Sequence, residues 1–163
     1  MAGVSKVLFD LGANMEDASM TRLGGEFTMM LIAGLPPSAS AAKLEKGLKG
    51  LEKKLGLQTA VKAIPSAIAL RSKNEPAKYL ISVYGSDRPG IVHRVTEALA
   101  KRKVSITDLQ TKVTGSPKPL YIMLLEIQVS DTVDLDGLRS DLDQLRQDLG
   151  VEVSFQDIEA VAL

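Results

Sequence analysis

Apolar residues recur along this chain with two periods, and the switches between them lay out its elements. Val4, Val7, Leu8 and Leu11 fall at helical spacing, with Gly12 following as a C-terminal cap. Residues 13–22 alternate as a strand, Leu23-Gly24-Gly25 signals a turn, and residues 26–33 (EFTMMLIA) alternate again, which predicts a β-hairpin. Pro36 and Pro37 break the chain, and Ser40 stands as the N-cap of a helix bearing Leu44, Leu48, Leu51 and Leu55, ended by Gly56. Residues 57–64 (LQTAVKAI) alternate and predict a strand. A linker follows, within which Ala67 to Leu70 is apolar enough to pack. Residues 79–84 read as a buried strand and Gly85 to Arg88 as a turn. Pro89 sits in the first turn of a helix striped with Ile91, Val95, Ala98 and Leu99. Residues 104–114 and 120–129 are strands joined by a proline-containing turn. Asp134 opens a helix carrying Leu135, Leu138, Leu142, Leu145 and Leu149, Gly150 caps it, and residues 151–161 supply a last strand.

The second half repeats the first. Leu44, Leu48, Leu51, Leu55 and Gly56 each precede Leu138, Leu142, Leu145, Leu149 and Gly150 by 94 positions, as Phe27 precedes Tyr121. Val4, Leu8 and Asp17 precede Val95, Leu99 and Asp108 by 91, the difference being absorbed in the hairpin turn. Both copies share the order helix, strand, strand, helix, strand, and the second has a further strand in front. That makes βαββαβ, the ferredoxin-like split motif. The expected fold class is therefore α+β: two ferredoxin-like domains, residues 1–66 and 78–163, joined by a linker at 67–77. Each has an antiparallel sheet with helices on one face. The first copy lacks its leading strand, about 14 residues by this alignment, so that Met1 falls inside the first helix. In such a sheet that strand is an interior one, and omitting it leaves ladder groups unpaired beside an apolar gap. The gap is expected to be filled by exchange with another chain or by the linker at Ala67 to Leu70; otherwise the natural start lies upstream of Met1.

Composition narrows the function classes. Lys plus Arg and Asp plus Glu number 20 each, so no net field draws the chain to nucleic acid or an anionic membrane. Without cysteine there is no disulfide, thiolate nucleophile or zinc–thiolate site, which fits a reducing compartment. A single histidine, His93, on the polar side of its helix, leaves no His-rich metal site. No apolar run approaches the roughly 18–20 residues needed to span a bilayer, and no secretory signal opens the chain, so a cytoplasmic location is expected. No catalytic constellation is recognisable, so no enzymatic activity and no cofactor are expected. RNA binding on this topology would call for paired aromatics on the central strands, where only Phe27 and Tyr121 stand near the right places.

The stretch that carries chemistry is residues 78–106. A strand runs through a Gly/Pro turn into a helix whose first N–H groups have no intrahelical partner, an arrangement suited to a small anion such as an amino-acid carboxylate. The same residues would serve a plain strand-to-helix connection, with Asp87 capping the helix start. Asp17 and Asp108, at equivalent places, read first as a shared structural pair.

The segment YLISVYGSDRPGIVHRVTEALAKRKVSITDLQTKV resembles an ACT domain, whose motif is a strand, a G-x-D-R-P-G-I turn, a helix and a strand. The first copy, with NMEDASMTRLGGEFTMML, resembles the same domain, so nearly the whole chain is covered. Two repeats with no attached enzyme or DNA-binding domain resemble the subgroup of glycine cleavage repressors. The resemblance implies a regulatory module that pairs side by side into a continuous sheet, hence a homo-oligomer, and that binds a small amino acid, glycine first, at the domain interface. It further implies action through a transcriptional activator protein, without direct contact to nucleic acid or membrane. Carried over, the ligand-binding turn is Gly85, Asp87, Arg88, Pro89, Gly90 and Ile91. The polar position opening the next strand, often Asn in ligand-binding members, is Ser105 in the second copy and Asn14 in the first. The copy with the turn thus lacks the Asn, and the copy with the Asn lacks the turn. One composite site is expected, the turn facing Asn14, Glu16 or Asp17 across a domain or subunit boundary.

Overall fold

The computed structural model describes residues 1–64, 77–115, 117 and 119–158. The chain divides into two compact units, Met1–Arg71 and Ser72–Leu163.

The first unit opens with helix α1 (Ala2–Asp10), stopped at Leu11 and followed by Gly12 at φ +65°, the left-handed conformation that ends many helices. Strands β1 (Asn14–Leu23) and β2 (Glu26–Gly34) form an antiparallel hairpin. Its two central residues, Gly24 and Gly25, both have positive φ, as the tight turn matching strand twist requires. Helix α2 (Ala41–Leu55) is capped by Ser40, whose Oγ accepts the Lys43 N–H at 3.3 Å, and ends on Gly56 at φ +67°. Leu8, Leu44 and Leu48 are its buried core, with Met15, Leu31, Ala33 and Val61 packed around them.

Residues 57–64 are not a strand, contrary to the reading of their alternation. They keep the alternating burial, with Leu57, Thr59 and Val61 half-buried, but make no ladder. Thr59 holds the segment to α2 instead, its N–H and hydroxyl both donating to Glu52 Oε1 at 2.7 Å. Those two bonds, the hydroxyl's first, hold the Glu52 carboxyl below its ordinary pKa. The missing ladder has a physical cause. The equivalent segment of the second unit pairs with a single strand, and among the described residues the first unit has no counterpart of that strand.

The second unit completes the motif. It runs β3 (Ala77–Ser86), α3 (Ile91–Lys101), β4 (Ser105–Thr114), β5 (Leu120–Val129), α4 (Leu135–Leu149) and β6 (Glu152–Asp157). Its sheet has the order β4-β5-β3-β6, antiparallel throughout. Alternate residues of β3 and β5 meet the helices on one face, where Ile81, Val83, Met123, Leu125 and Ile127 are inaccessible to solvent, as are Val95, Leu99 and Leu138 of the helices. The two helices are joined by Arg102, just past α3, which donates to Asp141 of α4 and pairs with Asp134, the cap of α4. In the first unit small residues do this work. A β-carbon on Gly47 of α2 would lie 2.7 Å from Val7 Cγ1, and one on Gly3 of α1 would lie 3.1 Å from Leu51 Cδ2.

The repeat extends to irregularities. The register of β1 slips between Met15 and Asp17 and that of β4 between Ile106 and Asp108, positions 91 apart, so both copies carry a bulge at one place. No helix among the described residues is long and apolar enough to cross a membrane. The expected filling of the first sheet by Ala67 to Leu70 falls outside the described residues.

Candidate functional site

The turn between β3 and α3 is built from three local requirements. Gly85 lies on the helix-facing side of β3, where a β-carbon would stand 2.7 Å from Val151 Cγ1 and 3.3 Å from Val151 Cα. Only glycine lets the α4–β6 connection approach so closely. Ser86 to Gly90 are exposed. Gly90 takes φ +96° and is itself the N-cap, and Ile91, 2% exposed, plugs the first helical turn into the core.

Two details differ from the sequence reading. The helix starts at Ile91, so Pro89 precedes it instead of occupying its first turn. Asp87 does not cap it, because no side chain accepts from its first amides. The left-handed Gly90 takes the N-cap position itself. Helical bonding begins with the Arg94 N–H on the Gly90 carbonyl at 2.9 Å, leaving the amides of Ile91, Val92 and His93 at the positive end of the helix without a capping side chain. His93 is exposed, as read.

Beside this turn stands a residue that sequence reasoning matched to Phe27 without giving it a role. Tyr121 of β5 pairs with Gly85 and points into the core; it is 7% exposed. Its hydroxyl is buried and has no hydrogen-bond partner among the described residues. Burial pushes the phenol pKa up, and the Asp87 carboxylate is near enough for its charge to push it further. A signal was available: the copy with the turn has Tyr where the copy without it has Phe.

The other candidate residues are placed by the strand order. Ser105 opens β4 opposite Gln128, whereas Gly85 and Tyr121 are level with Val113. Seven residues of β5 separate those levels, roughly 23 Å along the sheet. Within its own unit Ser105 therefore stands at the far end from the turn. Gly85, Asp87, Arg88, Pro89, Gly90 and Ile91 are contiguous and brought together with Tyr121. Asn14 opens β1 of the first unit, and Asp17 follows the bulge there. A shallow groove of about 720 Å³ adjoins the turn at the end of α4, lined by Asp143, Arg146, Gln147, Gly150, Val151 and Glu152, with Val151 packed against Gly85. Two of its charged groups, Arg146 and Glu152, are paired with each other at 3.1 Å. No cluster of metal-ligating side chains occurs among the described residues.

Comparison with known proteins covers both units. The model of the ACT domain family matches residues 1–62 and again 78–156. A UPF0237 protein of Pyrobaculum aerophilum is 35% identical over 80 residues, which is 49% of this chain and 87% of that protein. A UPF0237 protein of Methanosarcina mazei is 34% identical over 86 residues, covering 52% of this chain and 89% of that one. Among solved structures, a protein of Galdieria sulphuraria superposes with a TM-score of 0.76 at 23% identity, over 96% of this chain and 89% of the other. A protein assigned as a glycine cleavage system transcriptional repressor superposes with a TM-score of 0.69 at 21% identity, over 95% of this chain and 87% of its own. At those identities the two structures speak for the fold.

Proposed function

The chain belongs to the ACT domain family, and from that premise we propose that it is a non-enzymatic regulatory protein whose second module binds a small amino acid. The observation that carries this reading is the turn itself. An uncapped helix start offers amides to a carboxylate, and the neighbouring Asp87 offers a charge for the ammonium. Glycine is the first candidate ligand, because the amides and Asp87 sit within one short turn. We propose further that the signal passes to a transcriptional activator protein, through different affinities of the ligand for two assembly states; a similarly folded protein is named as a transcriptional repressor. Zero net charge argues against direct binding to nucleic acid.

Homo-oligomer formation by sheet pairing has its own support. Among the described residues β4 pairs on one side only, and its helix-facing residues Ile106, Leu109 and Val113 are 37%, 39% and 51% exposed. An edge strand with an apolar stripe is a ready pairing surface. Isothermal titration of the chain with a panel of amino acids tests the ligand reading. Saturable heat with one of them, lost in Asp87→Ala, is the expected result. Silence across the panel would leave only the assembly role.

A further inference from the structure

We infer that the Tyr121 hydroxyl is the group that recognises the ligand's carboxylate, and that ligand capture and lifting of residues 87–90 are one event. The inference rests on reading the turn as an amino-acid site, and it adds a residue and a movement to it.

The argument starts from an imbalance. A phenol hydroxyl taken out of water without a partner costs free energy that a phenylalanine at the same place would not. The equivalent position of the first copy carries Phe27, 43% exposed, so the ring recurs in both copies and the hydroxyl belongs to the second alone. The hydroxyl therefore answers to something present in the second copy and absent from the first. Between the copies, what differs beside this residue is β3 and the turn that follows it.

The surroundings say what would satisfy it. Tyr121 is level with Gly85, whose missing side chain is replaced by Val151 from the α4–β6 connection, and Asp87 lies within electrostatic reach. The uncapped amides of α3 begin at Ile91, six residues after Gly85. A phenol O–H and backbone N–H groups are both donors, and they suit one anionic oxygen pair. Asp87, free of any capping duty, is left to accept from an ammonium. Donors on one side and a carboxylate on the other match an α-amino acid with a short side chain.

The hydroxyl is sealed from solvent, so a ligand reaches it only if the turn moves. The segment taken to move is the exposed 87–90, which leaves the ladder after Ser86 and ends on the left-handed Gly90. Binding would exchange an unpartnered hydroxyl for a charge-assisted bond, and the displaced turn would carry the signal to whatever packs against it.

The test uses the full chain and Tyr121→Phe, a change that the first copy tolerates at the matching position. Ligand-free, the variant is expected to melt at or above the wild-type temperature, since it loses only an unsatisfied group. Titrated with glycine, alanine, serine and the remaining amino acids, it is expected to bind the responding one at least roughly tenfold more weakly. Equal affinity would overturn the role of the hydroxyl while leaving the amino-acid site intact. A ligand-free variant that melts lower would also overturn it, by showing that the hydroxyl already has an internal partner. Acetate separates the two readings. If no amino acid binds but acetate does, and Tyr121→Phe weakens it, the amino-acid reading falls and the hydroxyl stands. If neither class of probe binds the wild type, both fall.

Discussion

Met29 and Met123 are the same residue at the same place in two copies of one motif, yet one is half-buried and the other inaccessible. The same holds for Leu31 against Leu125 and Ala33 against Ile127. The second unit has β3 between β5 and β6; the first, among its described residues, has β2 paired on one side only. The consequence for the core is large: among the described residues, sixteen are buried in one cluster against three in the other. An interior strand contributes more than its own side chains. It closes the backbone ladder on both sides and seats the strand beyond it, which is why residues 57–64 alternate and still form no strand.

The largest test of this contrast is hydrogen exchange on the whole chain. Amides of β2 are expected to exchange roughly a hundredfold or more faster than those of β5, because local opening there breaks fewer buried contacts. Equal protection would mean that the slot beside β2 is occupied in solution.

Next in size is a matched pair of truncations followed by denaturant unfolding. Leu125→Ala should cost about 2–5 kcal/mol of the second unit's stability, as a fully buried leucine does. Leu31→Ala, at a position already half open, should cost the first unit about 1 kcal/mol. Similar losses would sink the comparison.

A smaller effect is expected at the helix seams. Gly47→Ala drives a methyl against Val7, a short β-branched neighbour that cannot swing aside, and should cost about 1 kcal/mol net of the helix propensity gained. Its counterpart in the second unit is Asp141, held to Arg102, and Asp141→Asn should cost less than Gly47→Ala.

The smallest effect is a pH dependence. The hydrogen bond from Arg102, ahead of its charge and that of Lys101, holds the Asp141 carboxyl below its ordinary range. A carboxyl whose folded pKa is depressed stabilises fully above the unfolded value, about 3.9, and loses that contribution as pH falls through the lower folded value. Wild type minus Asp141→Asn stability should therefore be constant near neutrality and shrink only in acid. A difference that grows in acid would contradict the pairing.

Much of this was legible in the chain. Leucine periods marked two helices, for which Ser40 and Asp134 announced the caps, mixed apolar stripes marked the other two, and the offsets of 94 and 91 exposed the duplication. Residues 57–64 misled because alternation reports which face is covered and says nothing about whether a neighbouring ladder exists. Asp87 looked like a cap because spacing alone does not reveal the left-handed Gly90 between it and the helix. Tyr121 escaped notice because a lone tyrosine in an apolar strand reads as core. Its significance depends on an unpartnered oxygen that only coordinates can show. Ser105 was placed by analogy of motif, and only the sheet order reveals how far along the strands it stands from the turn.

The two helix seams make the halves of this chain answer differently to the solvent. Guanidinium-like crosslinks to carboxylates, as at Arg102, weaken when counter-ions crowd them, whereas glycine-against-valine contact, as at Gly47, tightens when an excluded salt such as sulfate raises the penalty for wetting apolar groups. Ionic composition thus acts in opposite directions on the two seams, slackening the Arg102 crosslink while firming the Gly47 contact.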